Sequence, residues 1–233
     1  MTEPKNTKQQ KEIDCGGGRK IVVTGKDLTM AFQVASIGKS GDALVEALLK
    51  SAPGSISTIT RYKDGKREDG LDGQAAVQVF DDKGRQTLRA HYKNDQPGDT
   101  ADEVCFQQFD GETGRLLVKR HYLNGRLNDT PTEPAVMMAY NKNEVIWERY
   151  NNGERSDGPN GEAAVEKFLE DGTLVSQARY RNNQKNDGLN GEPGYQRFDK
   201  NGKVTLTEHW KDGYFVGKSG IKNFIAKKLH LQK

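Results

Sequence analysis

A basic residue followed by an aromatic recurs along this sequence as Arg61-Tyr62, His91-Tyr92, His121-Tyr122, Arg149-Tyr150, Arg179-Tyr180 and His209-Trp210, at intervals of 30, 30, 28, 30 and 30 residues. A second aromatic series keeps step with it: Phe80, Phe109, Tyr140, Phe168 and Phe198. Between the two lies a Gly- or Asn-bearing turn such as DDKGR, LEDGT or DKNGK. After each basic-aromatic pair comes a polar, turn-rich stretch, KDGKREDGLDG in one copy and RNNQKNDGLNGE in another. Self-similarity at a fixed period is the signature of a repeat architecture, in which each unit buries its apolar face only against its neighbours.

Each unit reads as a β-hairpin followed by a structured loop. In the fourth copy the first strand runs from Ala163 to Phe168 and the second from Leu174 to Arg181. The period-2 rule then puts Leu174, Ser176, Ala178 and Tyr180 on one face and Val175, Gln177 and Arg179 on the other. The third copy has two fewer residues between its aromatics, which predicts a shorter turn or a bulge there. Stacked hairpins plus a leading strand near residues 57–62 give about eleven strands, a sheet on the order of 50 Å long that must twist or curl. Composition agrees: Leu, Ile, Val and Phe make up about a fifth of the chain, the edge at which a core can still be buried. With 26 Gly and a net charge of only +3, the chain is built for turns over a thin core rather than for a thick α/β enzyme core.

The flanks differ from the array. Residues 1–18 are polar and end in Cys15-Gly16-Gly17-Gly18, which reads as a disordered tail with a flexible joint. Residues 19–56 read as a small α/β segment, with a strand over Lys20–Thr24 and a helix over Ser40–Ala52 closed by Pro53 and Gly54. The hairpin array is assigned to residues 57–215. In residues 216–233, Ile221, Phe224, Ile225 and Leu229 fall at helical spacing among five lysines with no acidic residue, the pattern of a basic amphipathic helix. The expected fold is therefore mainly β: an elongated, twisted antiparallel sheet of about five stacked 30-residue hairpins, a small N-terminal α/β segment and a C-terminal capping helix.

The aromatic, Asn-Gly or Asp-Gly, aromatic pattern resembles MORN-type repeats, and more closely the YwqK-like antitoxin family of bacteria. The residues that carry the resemblance are Tyr62-Lys63-Asp64-Gly65, Tyr122-Leu123-Asn124-Gly125, Tyr150-Asn151-Asn152-Gly153 and Trp210-Lys211-Asp212-Gly213, and it covers roughly residues 57–215. Two departures stand out: a period near 30, longer than the usual unit, and a more acidic loop of the type NDGLNGEP. The resemblance implies a non-enzymatic binding protein made of stacked β-hairpins.

Residue spacing argues against several chemistries. A P-loop fails because Gly38-Lys39-Ser40 has Gln33, and Gly217-Lys218-Ser219 has Asp212, where the leading Gly is needed. Zinc fails on spacing, since the histidines at 91, 121 and 209 recur two strands or more apart, whereas zinc ligands converge at 2.0–2.1 Å. Loop carboxylates (Asp69/Asp72, Asp99/Asp102/Glu103, Asp157/Glu162, Asp187/Glu192) contain the oxygen ligands calcium needs, but without the EF-hand spacing; the alternative is Asx turns and hydrogen bonds to loop amides. No Gly-x-Ser-x-Gly elbow exists, and Cys105 sits in an apolar strand as a small hydrophobe. The expectation is no catalysis, no cofactor and no bound metal.

Two candidate binding features remain. The first is the column Arg61, His91, His121, Arg149, Arg179 and His209, read as a cationic strand face open to a protein partner. The second is the basic helix carrying Lys218, Lys222, Lys227 and Lys228, read as a cap or as a membrane- or partner-binding element. The sequence thus reads as a non-catalytic protein-binding module, an inhibitor or antitoxin-like protein that sequesters a bacterial partner. The alternatives are a membrane-surface or nucleic-acid adaptor using the basic helix, and a calcium-stabilised surface module. An exposed first or last strand leaves a homodimer open. The first residues have no apolar core, so no secretory signal is expected, and two cysteines are no disulfide framework; a cytoplasmic location is the expectation.

Overall fold

Strands Gln9–Gly16 (β1), Arg19–Gly25 (β2) and Ile56–Lys63 (β3) pair antiparallel in that order. Helices Leu28–Ala35 (α1) and Gly41–Ser51 (α2) connect β2 to β3. In this computed structural model, residues 8–35, 41–101, 103–141 and 143–219 are described. The chain divides into two compact units, Met1–Leu117 and Val118–Lys233.

The apolar core of the first unit lies between these strands and helices. Ile13, Ile21, Val23, Ile56 and Ile59 meet Leu28, Leu44, Val45 and Leu48 in one buried cluster. The spacing of Leu44, Val45 and Leu48 puts them on one face of α2, which explains why a short helix holds here. Two expectations fail at this end. Residues 1–18 were expected to be disordered, yet Gln9–Gly16 is a strand in register with β2, with Ile13 opposite Ile21 and buried. The glycines are its turn: Gly16, Gly17 and Gly18 all have positive φ. The helix Leu28–Ala35 was not expected at all.

Beyond β3 the first unit continues with Val77–Phe80, Gln86–Ala90 and Phe106–Phe109, each antiparallel to the one before. The second unit holds Val136–Asn141, Glu144–Glu148, Val165–Leu169, Leu174–Ala178, Tyr195–Phe198, Val204–Lys211 and Tyr214–Ser219, paired in chain order. The third copy does carry both a tight turn, with Asn141 opposite Glu144, and a register shift between Ala139 and Asn141. Trp147 packs on Phe168 with ring centroids 4.8 Å apart. Otherwise the buried apolar side chains of this unit are small: Ala135, Val136, Ala163, Ala164 and Ala178 among the described residues.

What the sequence showed as one loop per repeat is a second, smaller hairpin plus a loop. Tyr62-Lys63 pairs with Lys66-Arg67, Tyr150-Asn151 with Glu154-Arg155, and Tyr180-Arg181 with Gln184-Lys185. Both residues of each turn have positive φ: Asp64 and Gly65, Asn152 and Gly153, Asn182 and Asn183. That is the two-residue turn whose twist matches paired strands, and it demands Gly, Asn or Asp. These hairpins stack. In the second unit Gly153 N donates to Leu127 O, Asn183 N to Arg155 O and Gly213 N to Lys185 O, at 2.8, 2.9 and 2.9 Å. Cations slot between the stacked aromatics: Arg155 lies 5.6 Å from the Tyr150 ring and 5.3 Å from Tyr180, and Lys185 lies 4.4 Å from Trp210. In the first unit Arg67 sits 4.1 Å over Tyr92.

A Cβ added at Gly65 would meet no atom within 4 Å, so Gly65→Ala isolates the conformational cost of φ +79°. We expect a loss of about 1 kcal/mol from that term alone, read as a small fall in the urea midpoint with an unchanged slope. A loss above about 2 kcal/mol would mean that the stack, not the φ, is being disturbed.

The C-terminal helix expected over 216–233 does not begin at Val216. Tyr214–Ser219 is a strand on Val204–Lys211, with Lys218 opposite Glu208 and their charges 3.4 Å apart. The chain here replaces the first strand of a further copy: Lys218 faces Glu208 as Tyr195 faces Ala178. Residues 220–233, with Lys222, Lys227 and Lys228, lie outside the described residues.

Candidate functional site

Each polar loop between a small hairpin and the next strand contains an aspartate that the backbone treats as an extra strand partner. Asp69 N donates to Tyr92 O at 2.9 Å, and Asp69 Oδ1 accepts from Tyr92 N at 3.0 Å and from Ala76 N at 2.8 Å. Asp129, Asp157 and Asp187 repeat this. Their Oδ1 atoms accept from Ala135 and Tyr150, from Ala164 and Tyr180, and from Gly194 and Trp210. Asp99 Oδ1 likewise accepts from Cys105 N. The residue after the loop is small and buried in four copies, Ala76, Cys105, Ala135 and Ala164, and in the last it is Gly194, where a Cβ would lie 2.9 Å from Trp210 Cβ.

The second carboxylate oxygen meets the basic residue of the next copy. Asp69 Oδ2 is 2.8 Å from His91 Nδ1, Asp157 Oδ2 is 3.1 Å from Arg179 Nη1, and Asp187 Oδ2 is 2.8 Å from His209 Nδ1. Arg149 lies 3.8 Å from Asp129 and 3.4 Å from Glu166. His121 Nε2 is 2.9 Å from Glu133, which also takes Lys119. Arg61 has no such loop before it, and Asp42 of α2 takes the loop's place with Oδ1 2.7 Å from Nε and 2.6 Å from Nη2. Helix α2 thus supplies the carboxylate that a preceding copy would.

These contacts overturn the reading of the basic column as an open cationic face. Arg61, His91, His121 and Arg179 are 5%, 1%, 5% and 7% exposed. Arg149 and His209 are half-buried. At His91, His121, Arg149 and Arg179 the main strand ends and the small hairpin begins one residue later, whereas Ile56–Lys63 and Val204–Lys211 run on through Arg61 and His209. Burial lifts Asp129 above its ordinary value despite the Tyr150 and Ala135 amides. At Asp187 burial is outweighed by the Trp210 amide, His209 and the Gly194 amide, and its carboxyl is held low.

Two further loop carboxylates act within their own turns, while Asp72 is exposed. Glu162 Oε2 accepts from Asn160 N and Glu192 Oε2 from Asn190 N, each at 3.0 Å, so their oxygens serve as turn acceptors. Among the described residues no three His, Cys, Asp or Glu side chains converge on one point; Asp69 and Glu103 stand on opposite ring nitrogens of His91. A cleft of about 280 Å³ in the first unit is lined by Cys15, Arg19, Asp42, Arg61, Tyr62 and Leu71. Both of its arginines are engaged, Arg61 on Asp42 and Arg19 on Asp69 O. Neither thiol is activated. Burial, Asp42 and Asp14 raise Cys15, and burial pushes Cys105 up to about 12.

One recurrent position is not used by the fold. Gly70 N bonds Gln74 O, Gly158 N bonds Glu162 O and Gly188 N bonds Glu192 O, closing each loop over an apex. Apolar residues occupy that apex and face solvent. Leu71 is 78% exposed in the first unit, where Ala101 is its counterpart. Leu189 is 87% exposed in the second, with Pro131 and Pro159 as counterparts. A turn accepts proline here for its fixed φ, but gains nothing from an exposed leucine. The signal was legible in the repeat alignment, as the residue two after each loop aspartate. No family model matches the chain, and no curated protein matches it.

Proposed function

We propose that this chain is a non-catalytic, cytoplasmic, protein-binding repeat module of MORN-like build, with an inhibitor or antitoxin-like role that sequesters a bacterial partner. The observation that carries this reading is the recurrence of a solvent-exposed apolar residue at the apex of the loops, Leu71 and Ala101 in one unit and Pro131, Pro159 and Leu189 in the other. Exposed apolar groups held on a rigid, hydrogen-bonded framework lose little entropy on being covered, which is what a contact surface requires. The bases and acids around them are consumed in holding that framework. No helix among the described residues is long and apolar enough to cross a membrane.

The test is a tagged pull-down of the full chain from bacterial lysate with nuclease and a salt series, run beside the double variant Leu71→Asp, Leu189→Asp. Both sites are exposed, so the variant should melt within about 0.5 kcal/mol of the parent. We expect one stoichiometric protein at physiological salt, reduced at least tenfold by the variant. Equal recovery by the variant, or recovery only of salt- or nuclease-sensitive material, would overturn the reading.

A further inference from the structure

His91 stands between two loops of the first unit with a carboxylate on each ring nitrogen. Nδ1 is 2.8 Å from Asp69 Oδ2 of the loop before it, and Nε2 is 3.1 Å from Glu103 Oε2 of the loop after it. The residue is 1% exposed. A neutral imidazole has one N–H; its other nitrogen would turn a lone pair toward a carboxylate. Only the imidazolium donates to both. The other charged groups at this joint are Arg89, from the adjoining strand and 3.2 Å from Glu103, and Asp99, whose Oδ1 holds Cys105 N. Cys105 itself donates its thiol to His91 O at 3.3 Å. Asp69 is anchored by the Ala76 and Tyr92 amides and cannot follow the ring if it turns.

We propose that His91 is a proton-operated clamp, which ties the loops carrying Asp69 and Glu103 together as the imidazolium and releases the Glu103 loop as the neutral ring. The same position holds Arg61, Arg149 and Arg179 elsewhere in the chain, where the charge is permanent. Titration of His91 therefore has no counterpart at the arginine joints. Burial opposes the charge on His91, but the hydrogen bonds and attraction of Asp69, then Glu103, outweigh it and raise the pKa. A raised value means that the clamp's contribution is complete below about 6.5, the ordinary histidine value, and is lost as pH climbs through the folded-state value. Because Leu71 and Ala101 sit on these two loops, the clamp would also regulate the proposed binding surface. That consequence rests on the binding reading; the clamp does not.

The test needs no partner. In the full chain, the His91 ring is assigned by through-bond correlations in the parent protein, followed by NMR against pH, and compared with the urea-unfolded chain. Amide exchange of residues 69–76 and 99–105, corrected for intrinsic rates, is measured at pH 6 and above the His91 midpoint. We expect a midpoint above the unfolded one, and a protection loss of at least fivefold in the parent that disappears in His91→Arg. A His91 midpoint at or below the unfolded value overturns the clamp. So does an equal loss of protection in His91→Arg. The first readout requires only the parent protein, so a variant that fails to fold leaves the proposal testable.

Discussion

Asp157→Ala should be the most damaging single substitution in the second unit, with an expected loss of about 3–5 kcal/mol. It strands Arg179, which is 7% exposed, with one hydrogen bond left to Gly161 O, and it leaves the Ala164 and Tyr180 amides without their acceptor. Removing one member of a buried pair costs more than never having had the pair, because the surviving charge stays desolvated. In a thermal melt this is a fall of about 10–20 °C for a unit of this size. Asp157→Asn keeps the Oδ1 acceptor for the two amides but turns an NH2 donor toward Arg179 in place of Oδ2, so it should spare the amide part of the loss and cost less than Asp157→Ala. Adding Arg179→Met to Asp157→Ala should recover part of the loss, since it removes the stranded charge. A loss below about 1 kcal/mol for Asp157→Ala would mean that the loops are held by something other than this joint.

Leu48→Ala is the corresponding test in the first unit. Leu48 is fully buried in α2 among Ile21, Val23, Leu28, Ile56 and Ile59. Truncating it leaves a cavity in a packed cluster, and about 3–4 kcal/mol is expected, read as a shift of the urea midpoint. The same helix presents Asp42 to Arg61, so loosening α2 should also weaken the first joint. Protection of the β3 amides that face that joint would fall with it. If Leu48→Ala shifts stability by less than about 1 kcal/mol, the helix is a bystander and the strands alone hold this end.

The hairpins were legible because their cause is local. Turn residues at fixed offsets and alternating aromatics are read off the sequence without knowing what lies nearby. The helix over Gly41–Ser51 was legible for the same reason, through Leu44, Val45 and Leu48 on one face. β1 was not, because only Ile13 of Gln9–Gly16 is buried and the strand exists by pairing with β2. The basic column was misread by extending the period-2 alternation through it. His91, His121, Arg149 and Arg179 sit where the main strand breaks before the small hairpin, and a strand rule gives the wrong face at a break; Arg61 and His209 lie in unbroken strands and are covered by the carboxylates of Asp42 and Asp187. The carboxylates that bury them were visible as a recurring loop aspartate, but their partner is 20–22 residues away and belongs to the next copy. That pairing is a tertiary fact, and periodicity alone cannot assign it.

The second unit's buried apolar groups are mostly alanines, and much of what it shields from water is a network of amides, guanidinium groups and carboxylates. Apolar exposure raises the heat capacity on unfolding and polar exposure lowers it, so this composition makes the change in heat capacity small for the length of chain involved. A small heat-capacity change flattens the curve of stability against temperature. The unit should lose stability slowly on cooling, and cold should spare it where a protein with a larger oily interior begins to open.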